Sequence, residues 1–524
     1  MHFVKPIDRN QSLLFSSLDA FVPRNHPVRI IDAIIGNIVK SNPGKFKYKG
    51  NNNVGRRAYS AETMLKLFLY GYLNSISSSR KLEVETHRNI ELKWLLGNLQ
   101  PDHKTIANYR KDNNQHIKLM TIEFRNFLKA NNFIKGKTVV VDGSKVKANA
   151  NREMLTIEKI ERRLSNLDNN LKKYLDKLAE KDVCEDIADD ENNNNKADSI
   201  NDNLVEKIIM LKSKIEKLEK TKQKIEESGK KYFSTTDPDA NLMRSRNGKI
   251  PAYNVQIATD SENHMIAESQ VSISPTDKNE LTPLLESLKE NMGIEAEIAS
   301  ADKGYYNPKE IQKIEEILST KCFIPWERIN DNGISFDYIE DRDEYICFLG
   351  KPLVLKEKNK PRGKRVADVY QGTKCDDCPI RSKCTKAKNG RILHRYHDHA
   401  WCRSYKNRIK SNLGKEKIKE RKNIVEHCFG TIKYWMGQIP IFLRGKEKVQ
   451  TEINIYVTAY NLKRLINIEN FDNLMKIINE YQWKIAEYYK EGCYTSPKLC
   501  LFLVLQIKIF TYRETLSNLQ NYVF

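Results

Sequence analysis

From about residue 151 to residue 233 the chain gives up the two-residue alternation of strands for steps of three and four. Ile160, Leu164, Leu167, Leu171, Tyr174 and Leu178 form one such run. Leu204, Ile208, Leu211, Ile215 and Leu218 form a second, which continues through Lys222 to Ile225. Apolar side chains at that period gather on one face of a helix. The stretch between, Asp189-Asp190-Glu191-Asn192-Asn193-Asn194-Asn195, is acidic, polar and turn-prone. Two heptad runs joined by such a loop predict an antiparallel helical hairpin. The segments on either side read as strands, so the fold has to be a sheet whose chain is interrupted by a coiled insert.

Before the insert, Lys137-Thr138-Val139-Val140-Val141-Asp142 reads as a short buried strand that ends in a carboxylate. After it, residues 252–259 and 264–273 are expected to pair as a hairpin around Ser261-Glu262-Asn263. An amphipathic helix at 281–288, a strand at 296–300, a helix at 311–318 and a strand at 321–325 follow. That order is a mixed sheet with helices, an α/β layer. Residues 326–415 read as an irregular, basic, Cys-containing insert. Helix resumes near Lys415, runs past Glu426 to about Trp435, and a last apolar helix at 453–465 closes the core. The expected division is a helical domain at 1–135, a core at 136–325 and 416–470, the two inserts, and a tail at 471–524.

The first 135 residues look mostly helical, with Ser60 capping a helix whose apolar face is Met64, Leu65, Leu67, Phe68 and Tyr72. Leu92, Trp94, Leu95 and Leu96 make a second cluster. Pro101-Asp102-His103 then turns into a short basic helix carrying Lys104, Thr105, Asn108, Arg110 and Lys111. Short helices, tight turns and such residues suit a helix-turn-helix DNA reader. An ordinary small bundle fits that segment equally well.

Charge sharpens the reading. Of the net +21, residues 1–135 hold +12, residues 136–350 hold −10 and residues 351–425 hold +16. Basic blocks neutralise phosphates and gain from counterion release, while clustered carboxylates suit hard divalent cations. Either basic block alone would pass for solvated surface; two around an acidic centre point to an enzyme acting on nucleic acid. No apolar run approaches the ~20 residues of a membrane span, and the N-terminus lacks the apolar core of a signal peptide. A cytoplasmic, nucleoid-associated protein is expected, with DNA and no membrane as its partner. There is no G-x-x-x-x-G-K-[ST] loop, which argues against an ATP-driven helicase or recombinase.

Asp142 ends the first strand and Asp302 follows a later one, so strands lying side by side would bring both within reach of one ion. Glu426, on a helix packed against that sheet, is the candidate third ligand. Oxygen ligands in that number suit Mg²⁺ or Mn²⁺, and two such ions can promote phosphodiester displacement. A single carboxylate is more often solvated or capping; three at such places are harder to dismiss. Lys433 falls two turns after Glu426, on the same helix face, where it can hold a phosphate.

These residues resemble the DDE transposases of bacterial insertion sequences, whose core is RNase H-like. The resemblance rests on Val139-Val140-Val141-Asp142-Gly143-Ser144, Ala301-Asp302-Lys303-Gly304-Tyr305-Tyr306 and Val425-Glu426-His427-Cys428-Phe429-Gly430-Thr431-Ile432-Lys433. Thr236-Asp237-Pro238-Asp239-Ala240, Tyr253-Asn254-Val255-Gln256, Leu443-Arg444-Gly445 and Ala459-Tyr460-Asn461-Leu462 support it. It implies Asp142, Asp302 and Glu426 as the catalytic, metal-binding triad, with Lys433 and Arg421 touching substrate phosphate. It also implies an N-terminal domain that binds the element's terminal inverted repeats, target DNA as a second substrate, and at least a dimer in the DNA complex. One departure stands out: the Tyr that family members often carry seven or eight residues before the Glu is replaced by Lys419 and Ile418. A DNA-binding protein with a decayed core and a host nuclease are the competing readings.

Four of the ten cysteines fall close together: Cys347, then Cys375-Asp376-Asp377-Cys378, then Cys384. Four soft ligands suit structural Zn²⁺, although a ribbon normally shows two C-x-x-C pairs. Plain reduced thiols fit as well, with redox activity a third option.

Overall fold

The computed structural model describes residues 18–46, 58–185, 194–245, 248–325, 336–362, 365–396, 399–435 and 439–481. Their centre is a sheet of six strands among these residues: β1 (Thr138–Lys147), β2 (Asn241–Ser245), β3 (Gly248–Asp260), β4 (Ile266–Ser272), β5 (Ile298–Ala301) and β6 (Lys321–Phe323). The order is β2-β3-β1-β5-β6, with β4 also paired to β3. β1 is parallel to β5 and β5 to β6, whereas β3 runs antiparallel to β1, β2 and β4. This is the mixed sheet that the strand order predicts. Val139, Val140 and Val141 are all buried, because layers cover both sides of β1 and an unbroken β-branched run suits such a strand.

β1 does not stop at Asp142. It continues five residues to Lys147, pairing with β3 as far as Lys147 opposite Ala252. The polar Gly143-Ser144-Lys145 stretch hides this continuation from an apolar pattern, since a long antiparallel partner supplies the ladder instead.

The coiled insert is present as helices Ile157–Glu185 and Asn194–Ser228; the loop at 186–193 lies outside the described residues. Its base is closed by reciprocal backbone hydrogen bonds between Leu155 and Phe233, at 2.8 and 2.9 Å. Leu155, Ile160, Ile225 and Phe233 form a small separate core there.

The N-terminal helices include Ala61–Leu73, capped by Ser60 whose Oγ accepts from the Thr63 amide at 3.1 Å. Helix Lys446–Ile468 binds them to the sheet. Thr458 meets Thr121 at 3.0 Å, and Tyr456 packs edge-on to Tyr72. On the other side, Asn461 satisfies the backbone N–H and C=O of Ile266, on β4, at 2.8 and 2.9 Å. One apolar core therefore runs from the N-terminal helices through the sheet.

Residues 326–415 are not irregular. They contain a five-stranded antiparallel sheet, among the described residues, in the order β11-β10-β9-β8-β7: β7 (Phe336–Ile339), β8 (Glu344–Cys347), β9 (Pro352–Arg362), β10 (Arg365–Gly372) and β11 (Ile392–Tyr396). Among the described residues its buried cluster is Tyr345, Leu353 and Tyr370, with Ala367 and Val369 also buried, and Pro352–Arg362 is lysine-rich. So small a core leaves little alternation to read. The expected tail begins with helix Phe471–Glu480 and otherwise lies outside the described residues. No helix among the described residues is long and apolar enough to cross a membrane.

Candidate active site

The parallel ladder between β1 and β5 runs from Thr138 opposite Ile298 to Val141 opposite Ala301. Asp142 and Asp302 are the next residue on each strand. Neighbouring strands lie about 4.8 Å apart, and matched positions of a parallel pair face the same way. The ladder thus sets two carboxylates side by side at its end, although β1 itself goes on. Asp302 leaves the sheet as the N-cap of a turn at Lys303–Tyr305, its Oδ1 accepting from the Gly304 amide.

Burial pushes the Asp142 carboxyl up to about 6; the charges of Asp302 and Asp277 add to the rise and Arg421 opposes it. Two adjacent carboxylates in a half-buried place repel each other, and a cation relieves that repulsion. The donor set fits a hard divalent ion. Among the described residues, no three His, Cys, Asp or Glu side chains are grouped so as to hold one, and the Glu426 side chain lies outside them.

Helix Asn412–Trp435 carries Glu426 and covers this face of the sheet. Ser300, two residues before Asp302, donates to the Lys417 carbonyl at 3.3 Å, and Thr259 donates to Cys428 Sγ at 3.7 Å. Arg421 is half-buried on the same helix, and its Nε has no hydrogen-bond partner among the described residues. Lys433 is exposed and lies 5.3 Å from the centre of the Phe429 ring.

Three of the four supporting motifs meet in one structural junction. Tyr253 donates to both oxygens of the buried Asp237 at 2.8 and 2.9 Å, and the Gly445 amide donates to Asp237 at 3.1 Å. Asp239 accepts from the Lys446 amide at 2.9 Å. These residues hold the start of helix Lys446–Ile468 to the sheet.

On helix His103–Asp112, Lys104, Asn108 and Lys111 are exposed. Lys104 and Asn108 line an open cavity of about 470 Å³ with Ser78, Arg80, His103 and Phe442. Thr105 turns its hydroxyl to the capping Asp102 at 2.7 Å. Arg110 contradicts the expectation of a DNA contact. It is 2% exposed and donates to Tyr72 Oη at 2.9 Å and the Ser77 carbonyl at 2.8 Å, with Glu452 3.6 Å away. A basic residue one helical turn from exposed neighbours looks like theirs in sequence; only the packing shows that it faces inward.

Cys347, Cys375, Cys378 and Cys384 are free thiols that line one small cavity. They converge, although among the described residues no three His, Cys, Asp or Glu side chains are grouped so as to hold an ion. Cys347 Sγ accepts from the Lys351 amide at 3.4 Å. Asp277 was missed altogether. It follows β4 in Ser274-Pro275-Thr276-Asp277, where an acid before a helix reads as an ordinary turn residue.

Comparison with known families gives two matches. Residues 16–112 match a family described as a transposase domain (DUF772). Residues 346–466, which include Arg421, Glu426, Lys433 and the four thiols, match one described as a transposase DDE domain. The chain is a transposase. More particularly, it is one with a DDE domain, an enzyme of DNA phosphodiester cleavage and strand transfer. Asp142 and Asp302 lie outside both matched spans. No curated protein matches the chain. A cryo-EM structure of the piggyBac transposase synaptic complex with hairpin DNA aligns over 90% of this chain and 87% of its own at 10% identity. Its TM-score of 0.23 is too low for that likeness to carry an argument.

Proposed function

We propose that this transposase cuts and rejoins DNA at the ends of an insertion-sequence element, using Asp142, Asp302 and Glu426 on an RNase H-like core. The observation that carries the reading is the β1–β5 register, which sets Asp142 beside Asp302 under the Glu426-bearing helix. Those three residues would hold Mg²⁺ or Mn²⁺, which supplies charge stabilisation at the attacking and leaving oxygens of the phosphodiester. Arg421 and Lys433 lie on the same helix and supply positive charge for the substrate phosphates. Lys104, Asn108 and Lys111 present an exposed basic face for the terminal inverted repeats, and pairing two ends calls for at least a dimer in the complex.

The test is cleavage of DNA carrying the gene's own flanking ends, with Mg²⁺ or Mn²⁺. Wild type is expected to nick at the repeat boundary. Asp142→Ala, Asp302→Ala and Glu426→Ala are each expected to lose at least ~10³-fold in rate with DNA binding retained. Binding without cutting by the wild type would favour the decayed core. Cutting that ignores the repeat boundary would favour a host nuclease.

A further inference from the structure

Beneath the Asp142–Asp302 pair, on the far side of the sheet, lies a third carboxylate. Asp277 Oδ1 accepts from Lys145 Nζ at 2.9 Å, Asn254 Nδ2 at 2.8 Å and Gln256 Nε2 at 3.0 Å. Lys145 pairs with Asn254 and Gly143 with Gln256 across β1 and β3, so these side chains share the face opposite to Asp142. The chain of contacts continues toward Asp302. Tyr305, 1% exposed, donates its hydroxyl to Gln256 Oε1, and Tyr305 closes the turn that Asp302 caps.

The polarity of this chain is determined by its first member. An ionised carboxylate only accepts, so Gln256 has to turn its NH₂ toward Asp277 and its oxygen toward Tyr305. That leaves Tyr305 a single role, as donor. Three donors on one ionised oxygen make the anchor charge-assisted and strong. The space is also cut to fit. A Cβ at Gly143 would stand 2.5 Å from Gln256 Nε2, 2.9 Å from Asp277 Oδ1 and 3.0 Å from Tyr305 Oη. Only glycine at 143 lets the three groups converge.

We propose that Asp277 is a positioning residue for Asp302. Through Gln256 and Tyr305 it fixes the Lys303–Tyr305 turn and so aims the Asp302 carboxylate at the site shared with Asp142. This rests on the catalytic assignment of Asp302, and the experiment separates the two.

Hydrogen exchange in the free protein reads the turn directly, without DNA. In Asp277→Asn, where the amide can offer an NH₂ and reverse Gln256, the amides of residues 302–306 are expected to exchange about 10-fold faster while β1 and β3 keep their protection. Gly143→Ala, which forces a methyl into the same junction, is expected to act alike. In Mn²⁺-dependent cleavage of the flanking-end DNA, Asp277→Asn is expected to lose about 10–100-fold in rate at unchanged DNA affinity. Combined with Tyr305→Phe it should be no slower than the slower single variant. Unchanged exchange at 302–306, uniform loss of protection across the sheet, or additive losses in the double variant would each overturn the proposal. If the turn loosens selectively while even wild type fails to cut, the positioning role stands and the catalytic reading falls.

Discussion

Arg110 and Asp142 are both charged residues held out of water, and their different surroundings give them different consequences. The Arg110 guanidinium sits over the Phe442 ring at 4.8 Å and faces Glu452, itself fully buried. Burial raises the Glu452 carboxyl while Arg110 and the Phe442 and Leu443 amides pull it down. Removing one partner of such a pair strands the other, so Arg110→Ala is expected to cost about 3–5 kcal/mol of stability. Denaturant unfolding checks that, and the salt dependence of DNA binding should not change. Asp142 behaves in the opposite way. Its folded value lies above that of an unfolded Asp, so its contribution to stability is present below about pH 4 and is lost as pH rises through about 6. Metal-free Asp142→Asn is therefore expected to be more stable than wild type at pH 8, by up to roughly 3 kcal/mol. The gap should close below pH 4. Denaturant midpoints at the two pH values decide it.

At the scale of elements, the coiled hairpin is secured at its base and thin beyond it. Ile160 is fully buried, whereas Ile209 and Met210 further along are 61% and 52% exposed. Shortening both helices beyond Leu167 and before Leu218, with a Gly-Ser link, keeps the base cluster intact. Its thermal midpoint is expected within a few degrees of wild type. Ile160→Ala, by contrast, opens a cavity at the base and is expected to cost about 2–5 kcal/mol there. Differential scanning fluorimetry on the two variants separates base from shaft. The hairpin was legible because its period is long and uninterrupted. The β7–β11 sheet was not, because Tyr338, Tyr345 and Tyr370 hold it by ring contacts 5.0–6.0 Å apart that are scattered over 33 residues of sequence.

For the whole molecule, a net charge of +21 makes DNA affinity an ionic-strength effect before it is anything else. Log affinity is expected to fall linearly with log salt, and Lys104→Ala to reduce the slope by about 0.9, the share of one phosphate contact. Binding isotherms at several salt concentrations measure both. The Arg110 variant should leave that slope alone, which makes it the internal control.

Sequence alone determined what depends on near neighbours along the chain. The cap at Ser60, the two heptad runs, the buried valines before Asp142 and the polar turn after Asp260 are each set within a few residues by backbone sterics and side-chain period. Asp142, Asp302 and Glu426 could be named because each stands on a regular element or directly after one. Tertiary structure decided the rest. The β1–β5 register makes neighbours of residues 160 positions apart. Packing against helix Lys446–Ile468 turned Arg110 inward. The convergence of Lys145, Asn254 and Gln256 on Asp277, with Tyr305 held through Gln256, joins four segments with no shared period. Such contacts form only when strands and helices meet across the core, so no window of sequence contains them.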